Sequence, residues 1–292
     1  GSGSTVFADV AYSLAVGRRA LRKRGFAIAQ DAATASALLY GAEPGSFVVA
    51  DTPDGARKLA FMFAGGGAQY PNMGRELYET EKVYRDAVDQ CLQLLREFID
   101  FDLKAVLYPV AGGEDEARRL LERPSRTLPA LFATQYAQAS LWQSFGIEPD
   151  ALIGHSMGEN TAACLSGVLS LRDALGLVAL RGKLFETVAE GSMLSVELDE
   201  EGLKPLLGSA LSLAAINAPG LTVASGPMQA LEQLEQTLNE RGIGCRKIHI
   251  DVAAHSSMLN GILKPFGDYL RTIPMAAPTI PFISNLSGDW IT

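Results

Sequence analysis

The sequence predicts an α/β fold: a mostly parallel sheet covered by helices on both faces, interrupted by a smaller βαββαβ insertion. Three observations predict it. Strand-like apolar runs alternate with helical patterns over most of the chain, as crossover connections between parallel strands require. One short apolar run, Ala151-Leu152-Ile153, passes through Gly154-His155-Ser156-Met157-Gly158 into a helix-compatible stretch that opens at Glu159. Between residues 191 and 250 the rhythm changes to strand, helix, strand, strand, helix, strand, the order of a ferredoxin-like unit.

Taken in order, Gly1-Ser2-Gly3-Ser4 reads as a cloning remnant. A helix at 7–21, a strand at 25–29, a second helix opened by Asp31 and a strand at 46–50 follow. So short a piece buries little surface alone and reads as a linker subdomain over 5–58. A buried-type strand at 59–63 runs into Ala64-Gly65-Gly66-Gly67-Ala68-Gln69, and helices are expected at 75–98 and 128–145 before the strand that leads to Ser156. A further helix opens at Ser170, with Asp173 spaced to complete a capping box. The inserted unit reads as strand 192–198, helix 199–207, strands 211–217 and 221–225, helix 227–241 and strand 245–250. The large sheet unit then occupies 59–190 and 251–292, the small one 191–250, and their junctions form a cleft of the kind that binds small molecules.

With 292 residues, 48% of them hydrophobic, the chain supplies a sizeable core. Its net charge of -8 argues against nucleic acid or an anionic membrane as partner, since both demand a basic face. The basic cluster Arg18-Arg19 and Arg22-Lys23-Arg24 reads as a solvated surface. No run of about eighteen apolar residues is present. Cys91, Cys164 and Cys245 are odd in number, far apart and without C-x-x-C spacing, which fits reduced thiols in a cytoplasmic protein rather than a disulfide framework or a zinc site.

The chemistry concentrates at a few residues. A serine between glycines at a strand-to-helix turn is pushed out of the backbone and placed as a nucleophile, the glycines being expected to absorb strained dihedrals. It needs a base, and histidine is the usual one. Of the three histidines, His155 adjoins Ser156 and suits positioning; His249 falls inside a strand, where a partly exposed structural role fits. His255 follows that strand among small residues, Val252-Ala253-Ala254-His255-Ser256, and is the candidate base; the alternative is that it merely caps the helix beginning near Ser257. Arg181 projects from the apolar arc of the helix after Ser170, formed by Leu171, Ala174, Leu175, Leu177, Val178, Phe185 and Val188. A guanidinium there needs an anion: either a bound carboxylate held by its planar fork or a protein Asp or Glu in a buried salt bridge. The run Gly65-Gly66-Gly67 fails as a dinucleotide fingerprint because Tyr70 stands where a third glycine belongs. Backbone N–H groups there and at Met157 instead suit the two halves of an oxyanion hole.

Together these residues resemble the acyltransferase domains of modular polyketide synthases and, more distantly, the malonyl-CoA:acyl-carrier-protein transacylases. The matching stretches are FMFAGGGAQYPNMG (61–74), TLPALFA (127–133), ALIGHSMGENTA (151–162), Leu180-Arg181-Gly182 and AAHSSM (253–258), with VFADVAYSLAVGRR (6–19) similar to a ketosynthase–acyltransferase linker. The resemblance implies an α/β-hydrolase-like large subdomain carrying a ferredoxin-like small one. It implies Ser156 as the acylated nucleophile, His255 as the base, Arg181 as partner of the extender's free carboxylate, and the N–H groups of Gly66 and Met157 as the oxyanion hole. His155, Gln69 and Ala254 join the substrate-binding set. It further implies a ping-pong reaction with an acyl-CoA as donor and the phosphopantetheine thiol of an acyl carrier protein as acceptor, no metal or redox cofactor, and a neighbouring ketosynthase of the same synthase.

The sequence also departs from that pattern. Gly66 and Leu128 stand where relatives commonly carry Gln, and Val252-Ala253-Ala254-His255 matches neither the His-Ala-Phe-His of malonyl-selective domains nor the Tyr-Ala-Ser-His of methylmalonyl-selective ones. Met157 favours malonyl, while the small Ala254 leaves room for a methyl branch. Relatives continue past the strand at 280–285, so the chain reads as C-terminally incomplete. Two other activities are weighed beside this one: a thioesterase or esterase, whose third, acidic member is represented only by a loosely placed residue such as Asp251, and a catalytically silent carrier-docking module.

Overall fold

Local side-chain caps fix several elements before any packing does. The computed structural model describes residues 6–41, 45–52, 55, 57–248 and 252–291. His249, Asp251 and the end of the strand expected at 245–250 lie outside the described residues. Two compact units divide between Arg57 and Lys58.

In the first unit, α1 (Phe7–Val16) stops short of the expected residue 21, because Gly17 closes it with an N–H donated to the Ser13 carbonyl at 2.9 Å. Strands β1 (Lys23–Phe26) and β2 (Val48–Asp51) pair antiparallel, with Lys23 opposite Asp51 and Phe26 opposite Val48. Both are displaced by about two residues from the apolar runs that predicted them; pairing register, not hydrophobicity, sets their ends. Between them α2 (Ala32–Leu39) is capped as expected by Asp31, whose carboxylate accepts the Thr34 N–H at 2.7 Å. Among the described residues of this unit only the apolar side chain of Leu38 is buried.

The second unit opens with β3 (Ala60–Phe63). The single helix expected at 75–98 is two, α3 (Arg75–Thr80) and α4 (Lys82–Leu95), because Glu81 takes an extended conformation with φ −101° and ψ 110°. That break turns Tyr84, Val88, Cys91 and Leu95 of α4 fully inward. After α5 (Leu103–Leu107) and α6 (Glu114–Glu122), α7 (Pro124–Ser144) begins four residues before the expected 128. A proline in the first turn, where no N–H partner is needed, starts a helix rather than ending one. The chain continues through β4 (Ala151–Gly154), α8 (Gly158–Leu165) and α9 (Leu171–Phe185).

Then come β5 (Ser192–Val196), α10 (Glu200–Leu203), β6 (Ser212–Ala218), β7 (Leu221–Gly226), α11 (Met228–Glu240) and β8 (Cys245–Ile248). They form a four-stranded antiparallel sheet in the order β6-β7-β5-β8, so the chain order is βαββαβ. Alternation along its central strands separates two faces: Leu194, Val196 and Ala224 pack with Leu231, Leu234 and Leu238 of α11, while Met193 and Val223 turn to the larger core. A 3₁₀ turn and α12 (Leu263–Leu270) lead to β9 (Phe282–Ile283) and β10 (Trp290–Ile291).

The other sheet of the second unit has the order β10-β9-β4-β3, in which β3, β4 and β9 run parallel. Phe63 lies opposite Gly154 and Ile153 opposite Ile283, so all three strands end at one level. Their carboxyl ends therefore deliver three loops to one place, the usual position of a site in a parallel sheet. Cys91, Cys164 and Cys245 are free thiols; burial pushes that of Cys164 up to about 12. No helix among the described residues is long and apolar enough to cross a membrane.

Candidate active site

Ser156 sits at the apex of the turn from β4 to α8 with φ 51°, and neither Gly154 nor Gly158 has a positive φ. The expectation that the glycines absorb the strain is thus corrected: the serine itself carries it, and the glycines serve close approach. A Cβ on Gly154 would stand 2.1 Å from the Gly158 carbonyl carbon and the Glu159 nitrogen, and one on Gly158 would stand 2.2 Å from the Phe63 carbonyl oxygen. Gly65, just past β3, abuts the same elbow, since its Cβ would meet the His155 carbonyl oxygen at 2.8 Å. Met157 is the N-cap of α8, at the end where N–H groups lack an intrahelical acceptor.

His255 Nε2 lies 2.8 Å from Ser156 Oγ. Its backbone is also left-handed, with φ 58°, so that two of the three described non-glycine residues with positive φ face each other across one hydrogen bond. Helix capping is not its role: Ser256 Oγ accepts the Met258 N–H at 3.2 Å. Desolvation, followed by the positive charge of Arg181 and by His155, holds the imidazole down at about 4. His255 lines the cavity and keeps solvent exposure, and with its pKa lowered it is neutral near pH 7 and able to accept a proton. Among the described residues no carboxylate hydrogen-bonds or ion-pairs with it.

Arg181 comes from α9, whose N-cap Ser170 accepts the Asp173 N–H at 3.1 Å as the sequence predicts. Ala174, Leu175, Leu177, Val178 and Phe185 form the buried arc; Val188 lies beyond the helix end. Burial pushes the guanidinium down from its ordinary value, and the nearby Glu159 charge opposes this. Burial likewise raises the Glu159 carboxyl, against the Asn285 N–H and Arg181. Arg181 stacks 5.2 Å from the Phe185 ring centroid, but among the described residues no Asp or Glu oxygen comes within ion-pair distance of it. Of the two partners open to this cation from the sequence, a protein salt bridge is not formed among the described residues.

All eight residues singled out from the sequence border one cavity of about 510 Å³. Ser156, His255 and Arg181 meet in it; Gly66 and Met157 flank the serine; Ala254 belongs to an apolar wall with Leu128 and Met193. The side chain of Gln69 turns back to accept the Gly67 N–H at 2.8 Å, so it shapes the loop. His155 Nε2 pairs with Asn217 Oδ1 of β6 at 2.9 Å, joining the elbow to the antiparallel sheet. Three polar residues have no local sequence signal: Asn217; Gln135, which donates to the Ala64 carbonyl at 2.7 Å and accepts from Thr161 at 2.8 Å; and Asn285, which accepts the Ser156 N–H at 2.7 Å.

A parallel-sheet elbow bearing a serine–histidine pair beside a half-buried arginine suits acyl transfer, and comparison with known proteins gives the family. The acyl transferase domain family matches residues 60–290, and the chain belongs to it. It is 39% identical over 292 residues to polyketide synthase GfsA of Streptomyces halstedii, covering 97% of this chain and 4% of GfsA. It is 35% identical over 289 residues to the mycoketide-CoA synthase of Mycobacterium tuberculosis, covering 97% of this chain and 7% of that protein. The chain thus spans a small part of these relatives' lengths. Among solved structures, the acyl transferase domain of ZmaA has a TM-score of 0.88 at 37% identity over 99% of this chain and 67% of that one. A malonyl CoA-acyl carrier protein transacylase from Clostridium perfringens has a TM-score of 0.71 at 27% identity over 81% of this chain and 74% of that one.

Gly158→Ala is expected to destabilise the fold by about 3 kcal/mol, because the Phe63–Ala64 backbone must yield, whereas Gly261→Ala, with open space around it, changes stability little; thermal unfolding of both variants checks this. By NMR titration His255 should protonate with a midpoint near 4, below its ordinary 6.5. Between those values the unfolded chain binds a proton that the folded one refuses, so this group lowers stability as pH falls through that window. Arg181→Ala should move the midpoint upward, and an unmoved midpoint would show that the cation does not act on the imidazole.

Proposed function

We infer that the chain moves a carboxylated acyl group from coenzyme A to the phosphopantetheine thiol of an acyl carrier protein, through an acyl-serine intermediate. The observation that carries this reading is the half-buried Arg181, without an ion-pair partner among the described residues, in the same cavity as the 2.8 Å Ser156–His255 pair. A buried cation without a protein anion is costly unless a substrate supplies one, and its planar fork fits a carboxylate.

In the first half-reaction Ser156 Oγ attacks the thioester carbonyl while His255 Nε2 takes the hydroxyl proton. The carbonyl oxygen becomes an oxyanion, received by the N–H groups of Met157 and Gly66. Collapse breaks the C–S bond, and the histidine returns the proton to the departing coenzyme A sulfur. In the second half the carrier thiol gives its proton to His255 and attacks the acyl-serine, and the proton passes back to the leaving serine oxygen. Arg181 holds the free carboxylate throughout, and no metal or redox cofactor enters either half.

Malonyl is the extender we assign, with methylmalonyl as the branched alternative admitted by the Ala254 wall; one methyl in an apolar pocket is worth only ~1–3 kcal/mol. Residues 5–58 read as part of a linker to a ketosynthase of the same synthase, a reading supported by how little the first unit buries. Hydrolysis to water, as by a thioesterase, is the alternative activity, with Asp251 as the acid the sequence offers for it.

Intact-mass measurement after incubation with malonyl-CoA should show one malonyl adduct that is absent from Ser156→Ala. No adduct, or one that persists in that variant, contradicts the assignment. Arg181→Ala should depress malonyl loading relative to acetyl loading by about 10²-fold. An unchanged ratio removes the carboxylate role.

A further inference from the structure

The Ser156 backbone is held in a conformation that few residues adopt, and one side chain outside every recognised motif grips it. Asn285 Oδ1 accepts the Ser156 N–H at 2.7 Å, and Asn285 Nδ2 donates to the Gly154 carbonyl at 2.6 Å. These two partners, one a donor and one an acceptor, fix which way the amide faces. Backbone pairing between β4 and β9 ends at Ile153 opposite Ile283. Two residues further on, the Asn285 side chain takes the part of another strand's peptide group, bonding the peptides on either side of His155. Its own N–H donates to Glu159 Oε1 at 3.2 Å, anchoring it to the first turn of α8.

We propose that Asn285 is a positioning residue of the acylation step: by clamping the peptides around His155 it holds Ser156 at its positive φ, and so holds Oγ in line with His255 Nε2. This rests on the reading of Ser156 as the acylated nucleophile. Without the clamp the 155–156 peptide is free to rotate, which relaxes φ at Ser156 and carries Oγ away from the imidazole. The same bond occupies the Ser156 N–H, leaving the N–H groups of Met157 and Gly66 to receive the oxyanion. Asn285 is thus assigned no contact with the reacting atoms; it acts through the serine.

Single-turnover acylation by malonyl-CoA separates positioning from mere folding. A positioning loss lowers the rate constant, whereas a structural loss lowers the amplitude, the fraction of chains that react, and leaves the rate constant alone. Asn285→Ala and the similarly sized Asn285→Leu should each slow acylation by about 10²-fold, the scale for a misplaced reacting group, with the KM for malonyl-CoA altered less than about threefold. Hydrogen exchange supplies a readout that needs no variant. The Ser156 amide of the unaltered protein should be protected like those of β4, and should lose that protection in Asn285→Ala. A variant rate constant within about threefold of the parent, a loss confined to amplitude, or an unprotected Ser156 amide in the parent overturns the proposal. If the unaltered protein acylates and both variants match it, this inference alone fails. If the unaltered protein never acylates at Ser156, the functional reading fails and takes this one with it.

Discussion

Where the backbone at the end of β4 meets that at the start of α8, Gly154 against Gly158 and Glu159, there is no room for a side chain, and the site is built on that constraint. Backbone from Phe63 to Ala64 presses on Gly158, Gly158 and Glu159 press on Gly154, and Gly65 presses on His155. With the strand ends locked this closely, three residues make the turn, His155, Ser156 and Met157. Of these it is Ser156 that goes left-handed. Strain of this kind persists where surroundings over-determine it. Here those surroundings are the parallel ladder of β3, β4 and β9 below the turn and the Asn285 amide beside it.

Electrostatics follow from the same packing. Helix α9 carries Arg181 into a cavity whose wall is largely apolar, and the site stacks the guanidinium on Phe185 without pairing it to a carboxylate. Its charge acts on its neighbour: the His255 imidazole, already disfavoured as a cation by desolvation, is held neutral. In the proposed reaction a single half-buried cation serves two ends, a receptor for an anionic substrate group and a field that keeps the proposed base in its proton-accepting form. Glu159 moderates this by opposing the burial of Arg181 from α8 while accepting the Asn285 N–H.

Features written in short range were legible in the sequence. Asp31 and Ser170 announce helix starts because a cap is a contact across three residues, and the turn around Ser156 announces itself by glycine spacing. The chain order of the antiparallel sheet could be read from successive apolar runs, and the eight site residues proved to share one cavity. What escaped is decided at long range. Nothing about Glu81 marks a helix break; the burial of Tyr84 and its neighbours on α4 accompanies it. The strands at 23–26 and 48–51 take their ends from pairing with each other. Asn285 and Asn217 are ordinary polar residues until the fold sets one against Ser156, 129 positions away, and the other against His155, 62 positions away. Glycine spacing points to the elbow, but the small size of those glycines serves contact between backbones, and the unusual dihedral belongs to the serine.

One measurement reaches the centre of this account: the crystal structure of the protein after reaction with malonyl-CoA. Density should continue from Ser156 Oγ into a malonyl group whose free carboxylate lies about 2.7–2.9 Å from the Arg181 guanidinium, the distance of a charge-assisted pair. Density on another residue, or a malonyl-serine whose carboxylate points to solvent with Arg181 still unpaired, would contradict it.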